Sequence, residues 1–196
     1  MYRRFVQAEI WMASSPENNN LISMSILDQL NVRLAKPQDA ATIASFSAAM
    51  ALETEGRHLD RDRLHDGTIA LLNSPDRGFF MVAELEQADE CQLVGQLMIT
   101  FEWSDWRNGA FWWIQSVYVA SQWRRQSVFR RMHQIVMATA KTNPNVCGIR
   151  LYVEENNSVA QAVYRKVGLT LSSYAIFETD FVLARQNGLM DCPTEA

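Results

Sequence analysis

The sequence predicts an α/β fold of the α+β type, in which a single sheet of six or seven strands is flanked by about four helices. Two observations support this prediction. Short runs of aromatic and β-branched residues, typical of strands, alternate with longer stretches whose apolar residues recur at the helical period. With 196 residues, the chain is long enough for one domain with a sizeable core and hardly long enough for two.

The first predicted elements are a strand and two helices. Pro37 suits the turn that starts the first helix, and Pro75 stops the second one. We expect a strand over 32–34, a helix from 37 to about 50, a polar connection over 53–58 and a helix over 61–73. Residues 1–30 lack sustained periodicity, so we interpret them as an N-terminal extension of a domain that spans 31–187, with 188–196 as a tail.

The rest of the domain is predicted to alternate between strands and helices. A polar turn over 87–90 separates two strands that should form a hairpin. Asn157 can cap the last helix, and Gly168 closes it. The expected elements are strands over 78–84, 93–102 and 111–119, a helix over 128–139, a strand over 148–153, a helix over 157–167, and one or two strands over 169–181.

The charge and cysteine content exclude several functional classes. The net charge of −4 offers no overall attraction to nucleic acid or to an anionic membrane. Cys91, Cys147 and Cys192 are far apart and odd in number, which disfavours a disulfide framework or a zinc site. No apolar run reaches the length of a signal peptide or a membrane span. We therefore expect a soluble cytoplasmic protein that binds neither nucleic acid nor membrane.

The most informative segment is a basic loop between a strand and an amphipathic helix. The stretch from Gln115 to Phe129 contains the end of the strand, the loop with Arg124 and Arg125, and the start of the helix. Backbone amides at a helix start have no partner within the helix, and the helix dipole adds partial positive charge there, so such a segment can bind a pyrophosphate. Taken alone, it is equally consistent with arginines on a solvated helix face.

A second motif resolves this choice. Residues 157–169 read Asn-Ser-Val-Ala-Gln-Ala-Val-Tyr-Arg-Lys-Val-Gly-Leu, which resembles the motif Asn-x-x-Ala-x-x-x-Tyr-x-x-x-Gly-Phe of the GNAT (Gcn5-related) N-acetyltransferase superfamily. The basic loop, about thirty residues upstream, resembles the acetyl-CoA loop of that family. Arg124 and Val128 match it, but the three family glycines are replaced by Arg125, Ser127 and Phe129. Because glycine tolerates positive φ and a close phosphate contact, these replacements bear on cofactor affinity.

The resemblance implies a central mixed, mostly antiparallel sheet and an acyltransferase activity. An acetyl group would pass from acetyl-CoA to a primary amine of a small molecule or peptide by direct attack of the amine on the thioester, without a metal. The alternative is a non-catalytic CoA-binding or interaction module with a degraded phosphate loop. Family members are often dimers, so a homodimer is one candidate for the oligomeric state. The implied cofactor-binding residues are Val117, Val119, Arg124, Arg125, Gln126, Ser127, Val128, Phe129, Asn157 and Tyr164.

The catalytic residues are less well specified. By resemblance, Tyr164 would protonate the leaving CoA thiolate. Many family members carry a glutamate base at the position of Gln115, and a glutamine cannot accept a proton from an ammonium. Glu102 is our preferred general base, with Asp105, Glu53 and Glu55 as alternatives.

Two other residue groups have open interpretations. The cluster Trp103, Trp106, Trp112 and Trp113 could line an acceptor pocket or pack in the core. Strand alternation places the last two on opposite faces, so at most one of them faces a cleft. His58, His65 and His133 lack metal-ligand spacing, and we expect them on the surface.

Overall fold

The structure is a computed structural model that describes residues 29–87 and 90–182. The chain separates into two compact units with the boundary between Tyr152 and Val153. In the first unit, strands form one sheet in the order β1-β2-β3-β4-β5. Neighbouring strands are antiparallel except β4 and β5, which are parallel. The strands are β1 (Leu30–Leu34), β2 (Gly78–Gln87), β3 (Glu90–Ser104), β4 (Gly109–Val119) and β5 (Val146–Arg150).

Four α-helices lie within the described residues, as predicted. The Asp60 side chain caps the second helix by accepting a hydrogen bond from the Arg63 amide at 3.0 Å. The helices are α1 (Ala40–Glu55), α2 (Arg61–Leu72) and α3 (Val128–Thr142) in the first unit, and α4 (Ser158–Lys166) in the second. In the part of the chain that the structure describes, no helix is long and apolar enough to cross a membrane.

Two predictions of secondary structure are wrong. Five strands, rather than six or seven, form the sheet in the described residues, because 169–181 contains no strand. An apolar pattern gives only a propensity, and a strand also needs a neighbour to complete its backbone hydrogen bonds. The first helix also continues through Glu55 into the predicted polar connection and ends at Gly56, whose φ is 62°. Polar residues on an exposed last turn do not stop a helix, whereas a left-handed glycine does.

Helices lie against both faces of the sheet. Strand residues alternate between the two faces, so each face has apolar side chains to bury. The larger core lies between α3 and the sheet, where Met132 and Val136 pack with residues such as Leu97 and Ile99. On the other face, Ile43 of α1 packs against Phe80 and Val82, with Leu71 and Leu72 of α2 beside them. The remaining part of that second face, over β4 and β5, carries the polar and aromatic side chains described below.

A charged cluster joins β1, β2 and the turn Pro37–Asp39. The Arg33 guanidinium contacts the Asp39 carboxylate and the Glu84 carboxylate, each at 2.7 Å. Asn31 donates a further hydrogen bond to Glu84 at 2.7 Å. Burial opposes the ionisation of Asp39 and Glu84, but the hydrogen bonds from Arg33 prevail and lower the pKa of both carboxyl groups.

Candidate functional site

The ladder between β4 and β5 stops halfway along β4. Its last pair is Trp113 with Arg150, so residues 114–119 have no β5 partner. In the same stretch β4 has a β-bulge against β3. Gln115 pairs with Met98 and Tyr118 pairs with Gln96, so β4 has one extra residue between these two pairs. Ser116 lies at the bulge with a φ of 49°. β4 therefore continues past the last pair with β5, through a bulge at 116–117, into the stretch that contains Val117 and Val119, the residues predicted to bind the cofactor chain.

The loop after β4 adopts the backbone that glycines usually provide. Arg125 has a φ of 62° and Ser127 a φ of 64°. Both replace glycines of the resembled motif, and holding a non-glycine residue in this left-handed region costs about 1–2 kcal/mol each. The third replacement, Phe129, lies inside α3 with its ring 5.9 Å from that of His133. The loop thus keeps a glycine-like path although the glycines are absent.

Helix α3 begins directly at this loop. The Arg131 amide donates to the Ser127 carbonyl at 2.9 Å, so the amides of the preceding turn lie before the first intrahelical hydrogen bond. Val128 is buried and anchors this end of the helix in the core. The Gln126 side chain closes the loop by donating to the Gln122 carbonyl at 2.9 Å. A helix start of this kind, with its partial positive charge, is suited to an anion such as a pyrophosphate.

The arginines of the loop have different environments. Arg124 Nε donates to the Val119 carbonyl at 2.8 Å, and its Nη2 pairs with Glu53 of α1 at 2.6 Å. Arg125, Arg130 and Arg131 are exposed, and within 29–87 and 90–182 none of them forms an ion pair. Arg124 is therefore a structural link, and the other three guanidinium groups are available to an anion.

Glu53 and Tyr118 complete the Arg124 link. The Tyr118 hydroxyl donates to Glu53 at 2.9 Å, and the Arg124 guanidinium lies 5.3 Å from the centre of the Tyr118 ring. Burial opposes ionisation of Glu53, yet the hydrogen bonds from Arg124 and Tyr118 lower its pKa. Burial and the bond to Glu53 raise the pKa of Tyr118. The link joins the loop after β4 to α1.

A second cluster lies on the face of the sheet that α1 and α2 leave partly open. Glu102 of β3 accepts hydrogen bonds from the Trp113 indole and, at 2.8 Å, from Arg150 of β5. The Arg150 guanidinium lies 3.7 Å from the centre of the Phe111 ring. Farther along the same face, Gln115 donates to Thr100 at 2.5 Å. This row brings the predicted base Glu102 next to Trp113 and next to Arg150, which the sequence analysis did not single out.

The tryptophans separate as strand alternation predicted. Trp112 is in the core between α3 and the sheet, and Trp113 points to the opposite face, beside Glu102. Trp103 and Trp106, at the end of the β3–β4 hairpin, are 63% and 84% exposed. Only Trp113 of the four therefore lies beside the polar row.

The histidine prediction is wrong in one case. His58 and His65 are exposed, but His133 of α3 is buried, with 2% of its surface accessible. Burial lowers its pKa and keeps the imidazole neutral. Its place three residues before the core residue Val136 explains the burial, because helix positions three or four apart lie on the same face. No group of side chains in the described residues has the makeup of a metal site.

The second unit contains the other predicted cofactor residues. Asn157 caps α4 as predicted, since its side chain accepts a hydrogen bond from the Ala160 amide at 3.0 Å. Gly168, with a φ of 91°, follows the helix end. Tyr164 lies in α4, and burial raises the pKa of its phenol. A tyrosine phenol is protonated at neutral pH even without this shift, as a proton donor must be.

Comparison with known proteins identifies the family. Residues 42–169 match the model of the "Acetyltransferase (GNAT) family", which is more than half of the chain. The chain belongs to the GNAT acetyltransferase family. A possible acetyltransferase from Clostridium difficile 630 is 38% identical, over 79% of this chain and 99% of that one, with a TM-score of 0.72. No curated protein matches the sequence.

More distant GNAT structures share the fold. A predicted acetyltransferase from Clostridium acetobutylicum, solved with acetyl-CoA, is 18% identical over 76% of this chain and 96% of that one, with a TM-score of 0.62. The glucosamine-6-phosphate N-acetyltransferase of Arabidopsis thaliana is 16% identical over 76% of this chain and 97% of that one, with a TM-score of 0.58. At these identities the likeness concerns the fold alone.

The residues that the sequence missed are Tyr118 and Arg150. Their partners are far away in the chain: Tyr118 and Glu53 are 65 positions apart, and Arg150 and Glu102 are 48 apart. Neither residue has a local spacing that marks it. The strand pairs Trp113–Arg150 and Glu102–Phe111 bring the second pair together, and only the sheet register supplies that information.

Proposed function

We propose that this GNAT protein transfers an acetyl group from acetyl-CoA to a primary amine of a small molecule or peptide. The observation that carries the proposal is the stretch 114–119 of β4, which has no partner in β5 and is followed by a loop with left-handed Arg125 and Ser127 and the start of α3. A strand without a partner on one edge offers backbone groups to an extended chain, and the loop and helix start offer amides to a pyrophosphate. Acetyl-CoA contains both chemical features.

The proposed cofactor contacts follow from this arrangement. Val117 and Val119 would face the pantetheine, with the Val119 carbonyl already held by Arg124. Arg125, Gln126, Ser127, Val128 and Phe129 form the loop and the helix start that would surround the phosphates. For Asn157, the N-cap of α4, and Tyr164 of α4, contact with the cofactor is what the family motif implies.

The reaction needs a neutral amine, a stabilised oxyanion and a proton for the thiolate. The amine nitrogen would attack the thioester carbonyl, and a backbone amide of the bulged part of β4 would stabilise the oxyanion. Collapse of the tetrahedral intermediate breaks the carbon–sulfur bond, and Tyr164 would give its proton to the departing sulfur. Glu102 would take the proton of the amine directly or through water. Each of its oxygens accepts one hydrogen bond and has a second acceptor position.

The proposal is tested with radiolabelled acetyl-CoA and a panel of primary amines, together with calorimetric titration of CoA. We expect saturable CoA binding and transfer of label to at least one amine. CoA binding without transfer to any amine would contradict catalysis and favour a CoA-binding module. Absence of CoA binding would contradict both.

Glu102 is tested by the substitution Glu102→Gln. If Glu102 is the base, this variant has a lower kcat, and its kcat no longer rises with pH as the base loses its proton. The Kd for CoA should stay within about twofold. Asp105→Asn, at the hairpin end beyond β3, is the matched control and should leave the pH profile unchanged. An unchanged profile in Glu102→Gln would remove Glu102 from the proton path.

A further inference from the structure

Arg150 lies at the end of β5. It forms the last pair of the β4–β5 ladder with Trp113, and Val117, the proposed pantetheine contact, is in the part of β4 beyond that pair. We propose that Arg150 determines acceptor specificity by binding an anionic oxygen group, a carboxylate or a phosphate, on the amine substrate. This inference rests on the proposed acetyl transfer, and it adds the chemical class of the acceptor.

Arg150 is held in place by its neighbours. Its guanidinium lies 3.7 Å from the centre of the Phe111 ring and 6.0 Å from that of the Trp113 ring. The Phe111 ring lies over Gly148, where an added Cβ would come within 2.5 Å of the ring. Glycine at this position therefore lets the ring lie flat beneath the guanidinium. A guanidinium fixed by stacking loses less freedom on binding than a mobile one.

Most of the hydrogen-bonding capacity of Arg150 is unused. A guanidinium carries five N–H donors, and Arg150 donates from Nη1 to Glu102 at 2.8 Å. In the described part of the chain, no other residue accepts a hydrogen bond from the Arg150 guanidinium. The Arg150 side chain is 31% exposed, so a ligand can reach it. The planar fork of an arginine matches the two oxygens of a carboxylate or phosphate.

The surrounding charges favour an anion over a second cation. Arg107 also approaches the Phe111 ring, with its guanidinium 5.0 Å from the ring centre. Among the described residues, the charged side chains that contact Phe111 or Trp113 are thus two guanidinium groups and the Glu102 carboxylate, which is already bound by Trp113 and Arg150. Asp105 accepts from the Trp106 amide within the hairpin turn. A purely cationic acceptor would therefore meet excess positive charge, whereas an anionic group is attracted.

The experiment compares amines that differ only in the anionic group. The matched pairs are glycine with glycinamide, 4-aminobutyrate with butylamine, and O-phosphoethanolamine with ethanolamine. Binding of each amine to the full chain saturated with CoA is measured by calorimetry, and KM and kcat are measured with acetyl-CoA. We expect the anionic member of at least one pair to be preferred by about 10- to 100-fold, as for a charge-assisted bidentate contact. The carboxylate and phosphate pairs show which oxyanion is preferred.

The variant Arg150→Met should abolish this preference mainly through KM, and Arg107→Met is the matched control that should keep it. Because Arg150→Met leaves Glu102 unpaired, the double variant Glu102→Gln with Arg150→Met is measured for binding if the single variant unfolds. Equal binding of both members of every pair, or a preference that survives the loss of Arg150, would overturn the inference. A binding preference without turnover of any amine would uphold the role of Arg150 and refute acetyl transfer. Turnover without a preference would uphold acetyl transfer and refute the role of Arg150.

Discussion

At the scale of single residues, Arg124 and Glu53 decide how the cofactor loop is held. Arg124 was predicted as a phosphate contact, and that role stays a prediction. In the structure its guanidinium spans from the Val119 carbonyl to Glu53, with the Tyr118 ring alongside. An arginine engaged in this way is suited to positioning the loop, while the exposed Arg125 is the better placed of the two for direct phosphate contact.

If the ion pair with Glu53 positions Arg124, removing the negative charge of Glu53 should weaken the binding of the anionic CoA. We expect Glu53→Gln to raise the Kd for CoA by about two- to fivefold, because Arg124 and the loop lose an exposed ion pair of about 0.5–1 kcal/mol. Titration calorimetry measures this, with Glu55→Gln as the matched control on the same helix turn. If Glu53 merely competes with the phosphates for Arg124, the affinity of Glu53→Gln will rise instead.

Tyr164 makes a second prediction at this scale. Like any tyrosine, it carries its proton at neutral pH, and burial raises its pKa further. The thiolate of CoA needs a proton as it leaves. We expect Tyr164→Phe to lower kcat by about 10²–10⁴-fold, the range for general acid catalysis. The Kd for CoA should change by less than about threefold. Tyr174→Phe, at an exposed position of the same unit, is the control. Equal turnover of Tyr164→Phe and the unmodified protein would exclude Tyr164 as the acid.

At the scale of an element, the loop between β4 and α3 keeps left-handed residues without glycine. The N-cap residue Ser127 has φ 64° and ψ 13° and makes no capping hydrogen bond through its side chain. Serine therefore contributes backbone strain here without the usual benefit of a serine cap. The chain as a whole sustains this strain because Val128 is fixed in the core one residue later.

Relief of that strain is measurable. We expect Ser127→Gly to raise the free energy of unfolding by about 1 kcal/mol, since glycine adopts positive φ without the steric cost. Urea denaturation gives the difference. Ser121→Gly, in the neighbouring turn of regular conformation, should stabilise nothing and serves as the control. Destabilisation by Ser127→Gly would show that the hydroxyl group makes a contact that matters more than the backbone conformation.

At the scale of the whole molecule, the charged cluster of Arg33, Asp39 and Glu84 makes stability depend on pH. Both carboxyl groups have pKa values lowered by Arg33. A carboxyl group with a lowered pKa in the folded state stabilises the protein above its unfolded pKa, about 4. That contribution is lost as the pH falls through the folded-state value. The cluster should therefore stabilise the folded protein at neutral pH, and this stabilisation should be lost in acid.

The corresponding variant is Arg33→Met. At pH 7 it should lower the free energy of unfolding by about 2–3 kcal/mol, between the values for exposed and buried ion pairs. As the pH falls through the lowered pKa values of Asp39 and Glu84, the difference from the unmodified protein should shrink to less than about 1 kcal/mol, because both carboxylates become neutral. Urea denaturation across this pH range measures it, with the exposed Arg77→Met as control. A difference that does not depend on pH would mean that Arg33 stabilises by packing alone.

The sequence by itself determined the order of the elements from β1 to α4 and the family. Period-2 and helical patterns, Pro37, and the Asn157–Gly168 motif are local signals, and local signals are preserved in the chain whatever its tertiary structure. Only the tertiary structure decided the number of strands, the burial of His133, and the contacts of Arg124 with Glu53 and of Arg150 with Glu102. Those contacts join residues 71 and 48 positions apart. Strand register and helix docking bring such residues together, and neither leaves a fixed spacing in the sequence.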